Sequence, residues 1–170
     1  VAGGRLFGLR DLVAQTAADL AAVRAERPMP TVLLVGEIYV RLDPFANSFL
    51  IRELEARGLR VRLAAVNEWL EYVEYFHRKS ASVLDLSPHL KVLLQHRIQG
   101  ILHRAAGRAF DWPERISTHD CLEAARPYLR PALEGEAVLT LGGPIRAWRS
   151  GQIDAVVSAI REAIAQGWYR

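Results

Sequence analysis

The chain has 170 residues and a mass of 19.0 kDa, the length of one ordinary domain and enough to bury a core without disulfides or a structural metal. It is 51% hydrophobic and 24% charged, which excludes a disordered or collagen-like chain, and its formal charge of +3 is interleaved and too mild to mark a nucleic-acid binder. One cysteine, Cys121, excludes an intrachain disulfide framework or a cluster held by several thiolates of this chain, and no apolar run approaches the roughly 18 residues of a membrane span.

In chain order, Leu9, Leu12, Val13, Thr16, Leu20 and Val23 recur at helical spacing and predict an amphipathic helix over Leu9 to Arg27, stopped by Pro28 and Pro30. Thr31 to Gly36 is a β-branched run without polar alternation, the pattern of a central parallel strand covered on both faces. The stretch from Glu37 to Asn47 is too polar and too proline-broken to continue it and reads as a strand-to-helix loop. A helix then runs from about Asn47 to Arg57, with Leu50, Ile51 and Leu54 on one face and Gly58 at the C′ position. Leu59 to Val66 is a second strand, so the three pieces form a βαβ unit with a right-handed crossover.

Asn67 caps a further helix through Phe76, and Ser87-Pro88 opens a longer one to Gly107. A short helix covers Cys121 to Ala125. Helical periodicity returns from Glu134 to Arg149, although Gly142-Gly143-Pro144 interrupts it. Ile153 to Val157 reads as a last strand and Ile160 to Gln166 as a terminal helix. The sum is a single α/β domain over 1–170, with a short parallel sheet, a Rossmann-like start and a helical excursion at 67–130. The opening Val-Ala-Gly-Gly has no basic n-region, apolar signal core or initiator methionine, so the chain reads as a fragment of a longer cytoplasmic polypeptide.

Ligands of open parallel sheets bind outside the carboxyl ends of the strands, and that edge here carries Gly36, Glu37, Tyr39, Arg41, Asp43 and Asn47. Gly36 would admit a ligand close to the strand end, Arg41 could fork to a phosphate or carboxylate, and Asn47 sits where a helix begins. The same residues also fit an ordinary polar turn in which Asp43 caps a helix and Glu37 pairs with an arginine. Physics alone leaves both readings open. His89, His96 and His103 fall seven apart on the long helix, about 10.5 Å from one to the next along the axis, which suits a solvated or interface stripe and not a metal site. His119 and Asp120 adjoin Cys121, but neighbours in a helix do not face each other, so a structural thiol is expected. Trp69, Tyr72, Tyr75 and Phe76 lack interleaved cations and read as core or interface.

Two stretches resemble a known family. Val35-Gly36-Glu37-Ile38-Tyr39-Val40-Arg41, followed by Asp43-Pro44-Phe45-Ala46-Asn47 and Leu54-Glu55-x-x-Gly58, is similar to the 2-hydroxyacyl-CoA dehydratase-like proteins, closest to the domain associated with their CoA-substrate-specific enzyme activases. Gly135-Glu136-Ala137-Val138-Leu139-x-x-Gly142, with Gly151-x-x-Asp154-x-Val156-Val157, resembles a later motif of that family. The resemblance implies an ATP-driven, cytoplasmic electron-transfer system with [4Fe-4S] clusters, in which water is eliminated from a 2-hydroxyacyl-CoA. It also implies a ligand- or partner-binding role for Gly36, Glu37, Tyr39, Arg41, Asp43, Asn47, Gly135 and Glu136. Family members commonly follow the Asp-x-Val-Val strand with a cysteine-bearing Pro-Phe-x-Cys-Met-Pro-like turn. Here Ser158-Ala159-Ile160-Arg161 stands in its place, and no Gly-rich loop ending in Lys-Ser or Lys-Thr is present. The expected role is therefore binding or docking without catalysis by this piece alone, with no cofactor of its own. Its expected partners are an acyl-CoA or other anionic small molecule, or an activase or dehydratase subunit, and neither nucleic acid nor membrane. A non-enzymatic interaction module and an anionic-ligand domain are the rival readings.

Overall fold

The computed structural model describes residues 6–24, 27–80, 86–110, 117–130 and 137–159. These gather into two compact units, one drawn from Val1–Arg27 and Glu74–Arg115, the other from Pro28–Val73 and Ile116–Arg170. The excursion expected at 67–130 divides between them.

The second unit holds the sheet, and its α/β class is the one the sequence predicts. Strand β1 (Thr31–Gly36) lies between β2 (Arg60–Leu63) and β3 (Ala155–Ala159), and both pairings are parallel. Val32 to Gly36 are all buried, because both faces of β1 are covered. One face packs Leu33 and Val35 with Ala64, Ala147 and Ile153. The other packs Leu34 with Val40 and Ala159, against Leu50, Ile51, Val61 and Val157. The starts of β1 and β3 are tied reciprocally: the Thr31 amide donates to the Asp154 carboxylate at 2.7 Å, and the Asp154 amide to the Thr31 carbonyl at 2.8 Å. Strand β2 is shorter than the predicted Leu59 to Val66, since its ladder with β1 covers only Thr31 to Leu34.

Between β1 and β2 the expected loop contains a five-residue helix, α2 (Ile38–Leu42). Glu37 creates it: the two carboxylate oxygens accept from the amides of Tyr39 and Val40 at 3.1 and 2.8 Å. Helix α3 (Leu50–Ala56) begins three residues later than expected because Ser48 and Phe49 stand in left-handed conformation, each at φ 56°. Its end follows the sequence reading. Gly58 at φ 77° gives its amide to Glu55, and Leu59 gives its own to Leu54, the paired bonds of a Schellman close.

Helix α4 (Asn67–Ser80) leads out of this unit, and α6 (Thr118–Ala125) and α7 (Ala137–Arg149) return to it. Pro144 stays inside α7, with no amide to give the carbonyl of Thr140. The last strand is shifted two residues from the predicted Ile153 to Val157. The predicted helix at 160–166 lies outside the described residues.

The first unit packs α1 (Leu9–Ala22) on α5 (Leu86–Phe110), with the Arg24 guanidinium donating to the Phe110 carbonyl at 2.9 Å where the two helices end. Helix α1 is shorter than expected, and its face differs. Ala17 is its buried residue, while Leu9, Leu12, Leu20 and Val23 are exposed. The half-buried Val13, Ala14 and Ala21 flank Ala17, a small-residue face that allows close helix approach. No described helix is long and apolar enough to cross a membrane.

Candidate functional site

Glu37, Arg41, Asp43 and Asn47, which the sequence places at the carboxyl edge of β1, each have a structural partner. Gly36, at φ 111°, lies so close to the Ala159 backbone that a Cβ would collide with the Ala159 carbonyl. The close approach it permits is that of the neighbouring strand. Glu37 caps α2. One Asp43 oxygen accepts from the amides of Phe45 and Ala46 at 2.8 and 2.9 Å. The Asn47 amide group donates to the carbonyls of Val40 and Arg41, and its oxygen accepts from the Leu50 amide at 3.1 Å.

Arg41 departs furthest from expectation. Read as an exposed anion anchor, it is 2% exposed, and its Nη1 pairs with Glu68 at 3.1 Å. The cause is the short helix, which turns Val40 and Arg41 toward the interior instead of leaving the segment as an open loop. Its Nε has no hydrogen-bond partner. Of the remaining expected residues, Tyr39 alone projects outward, at 62% exposure. Gly135 and Glu136 lie outside the described residues, immediately before α7.

The large side chains that face outward from this edge are apolar or aromatic. Leu42, Phe45 and Phe49 join Tyr39 as exposed side chains within eleven residues of chain. Reasoning from the sequence passed over these three. The available signal was that large apolar residues stand in a proline-broken turn where no regular element could carry them into a core. The backbone that presents them is held in an uncommon conformation, with two consecutive left-handed residues and the Phe49 amide donating to the Pro44 carbonyl at 2.6 Å.

Behind this edge α6 crosses α7 closely. A Cβ on Gly142 would collide with the Cys121 carbonyl, so the glycine sets the approach of the two helices. Cys121 is buried at this crossing and its thiol is pushed up to about 12, first by burial and then by Glu68, Asp120 and Glu71, with Arg146 opposing. That is an unreactive thiol, as its helical context led one to expect. Thr118, on the same face of α6, is buried with its hydroxyl oxygen unpartnered. No group of three or more His, Cys, Asp or Glu side chains among the described residues is placed to hold a metal. His96 is exposed and His103 half-buried, and the side chain of His89 lies outside the described residues. Of the aromatic set, Tyr72 is buried, Trp69 is partly exposed, and Tyr75 meets Phe76 edge to face at 5.5 Å.

An open groove of about 660 Å³ runs between α7 and β3, lined by Val35 and Gly36 at one end and by Thr140, Leu141, Ile145 and Val156 along its length. Both stretches of resemblance contribute to its wall, through Val35 to Glu37, Ala137 and Val156.

The fold and this edge define a parallel-sheet α/β protein whose carboxyl edge is internally braced and outwardly apolar. No family model matches the chain, and neither a curated protein nor a solved structure matches it.

Proposed function

We propose that this chain is a cytoplasmic docking domain of a 2-hydroxyacyl-CoA dehydratase and activase type of system, engaging an activase or dehydratase subunit through the edge formed by Tyr39, Leu42, Phe45 and Phe49. One observation carries the reading: Glu37, Asp43 and Asn47 hold the loop together through their side chains, and the large side chains left outside are Tyr39, Leu42, Phe45 and Phe49. Rigid aromatic residues on a fixed backbone supply contact area at small entropic cost and dominate protein interfaces. The two sequence stretches support the choice of system. A single buried cysteine does not fit a four-iron cluster, and no phosphate-binding loop is present, so in this reading [4Fe-4S] clusters and ATP are carried by the partner subunits. The rival anionic-ligand role, with an acyl-CoA as the ligand, is disfavoured because Arg41 is already neutralised by Glu68.

The test is calorimetric titration of the chain against purified dehydratase and activase subunits of its source organism. Binding to one of them, weakened at least about tenfold by Phe45→Ser and by Tyr39→Ala with melting temperature unchanged, is the expected result. If the parent binds neither subunit, or the variants bind as the parent does, the docking role is wrong. Tight binding of an acyl-CoA insensitive to both variants would favour the rival reading.

A further inference from the structure

Helix α1 has two distinct apolar sides. The first is centred on the buried Ala17, with the half-buried Val13, Ala14 and Ala21 around it, and packs on α5. The second is a row formed by Leu9, Leu12, Thr16, Leu20 and the C-cap residue Val23, at successive steps of 3, 4, 4 and 3 residues, which keeps all five on one side of the helix over about 21 Å. Thr16 and Ala17 are consecutive and so stand about 100° apart round the helix, which is how α5 covers one side and leaves the other. Thr16 is exposed, and Leu9, Leu12, Leu20 and Val23 are 43, 62, 54 and 79% exposed. Single exposed leucines are ordinary, but a contiguous row of this kind marks an interface.

Two properties of the row select its occupant. It is symmetric about Thr16, with Leu12 and Leu20 four residues to either side and Leu9 and Val23 seven. A two-fold axis through Thr16 therefore lays the helix antiparallel on a second copy of itself, with Leu12 on Leu20, Leu9 on Val23 and the small Thr16 on its own equivalent, the self-complementarity that an isologous contact requires. In this register like charges do not meet: Asp19 of one copy comes level with Val13 of the other, and Asp11 with Ala21. The area also agrees. A fully exposed leucine offers about 180 Å² and a valine about 150 Å², so the four side chains give roughly 400 Å² per chain and two copies roughly 800 Å², which is what a small stable homodimer interface of about 1,200 Å² needs when about 65% of it is apolar.

From this we infer that the chain forms a homodimer in which α1 pairs antiparallel with α1 of a second copy through Leu9, Leu12, Leu20 and Val23. The inference is independent of the docking role of the Tyr39 to Phe49 edge.

Sedimentation equilibrium on the full chain tests it. The parent should dimerise, at twice 19.0 kDa, and Leu12→Lys and Leu20→Asp should each weaken the association at least about tenfold. Because the register sets Leu12 of one copy on Leu20 of the other, an equimolar mixture of the two variants should recover the dimer, through one contact between opposite charges and one intact leucine pair. Under mild oxidation Thr16→Cys, on the axis, should form a disulfide-linked dimer at least about tenfold faster than Ala18→Cys, on the far side of α1; Cys121 is buried and does not compete. A parent that stays monomeric up to about 100 µM would overturn the inference, and a lowered melting temperature of Leu12→Lys in that case would show that the chain's own remainder covers the row. A dimer that withstands both substitutions would also overturn it, as would a mixture no more dimeric than its components or equal oxidation rates at positions 16 and 18.

Discussion

Arg41 shows how far one residue's role depends on what its neighbours do. An exposed loop pair would be worth about 0 to 1 kcal/mol, but a guanidinium closed in with a carboxylate behaves otherwise. Removing Glu68 takes the carboxylate from a buried guanidinium, and removing Arg41 takes from Glu68 its guanidinium at 3.1 Å and empties a buried site. Arg41→Ala is therefore expected to lower stability by roughly 3 kcal/mol, and Glu68→Gln by a smaller amount because Glu68 keeps some solvent contact. Urea denaturation midpoints of both variants check this; an Arg41→Ala midpoint equal to that of the parent would mean the pair contributes nothing. Cys121 gives a second residue-scale expectation. Its folded thiol is held at about 12 against an ordinary 9.0, so at pH above about 9 the unfolded chain loses its proton while the folded chain keeps it. This contribution to stability is complete below pH 9 and falls away as pH rises through 12. The difference in denaturation midpoint between the parent and Cys121→Ala should narrow over that window, and alkylation of the folded protein should be slow at pH 8.

At the scale of elements, the crossing of α6 and α7 makes opposite predictions for adjacent glycines. Gly142→Ala would drive a methyl group into the Cys121 carbonyl and should cost about 2 kcal/mol or more, because backbone, unlike a flexible side chain, cannot swing aside. At Gly143 the same methyl would meet only the Cys121 sulfur at 3.9 Å, an ordinary contact. Gly143→Ala should therefore be neutral or stabilising by up to about 1 kcal/mol through helix propensity. Thermal melts of the two variants should move in different directions, and equal losses would show that the crossing is not set by Gly142. Helix α2 depends on its cap in the same local way. Glu37→Ala should cost about 1 kcal/mol and loosen the presentation of Tyr39, readable as faster amide exchange at Tyr39 and Val40.

For the whole molecule, the two units have very different interiors. The sheet-bearing unit buries Leu33, Leu34, Val35, Tyr72, Leu139 and Ile153, whereas the fully buried apolar residues described in the helical unit are Ala17 and Ala106. Apolar area removed from water is the main stabilising quantity, so the helical unit should open first. Hydrogen exchange should find the slowest amides in β1 and fast, sub-global exchange in α1, and urea unfolding followed by exchange should resolve two steps. A single transition with equal protection in α1 and β1 would contradict that ordering.

Local chemistry by itself determined β1, the Gly58 close of α3 and the parallel α/β class. Each follows from a short-range rule: a β-branched run, a positive-φ glycine, the alternation of strand and helix periods. What only the tertiary structure decided is which way side chains face. Leu9, Leu12, Leu20 and Val23 share a helical stripe that spacing assigns to a core, but the partner helix met the alanine face instead. Arg41 is polar in a polar stretch, and a five-residue helix nucleated by Glu37 carried it inside to Glu68, twenty-seven residues away. Gly36 is legible as a residue of special backbone, but only the position of β3 shows that Ala159 is what approaches it. The physical reason is common to all three: periodicity and propensity act over a few residues, whereas burial depends on which distant segment arrives, and nothing within a few residues of Arg41 or Gly36 encodes the arrival of Glu68 or Ala159.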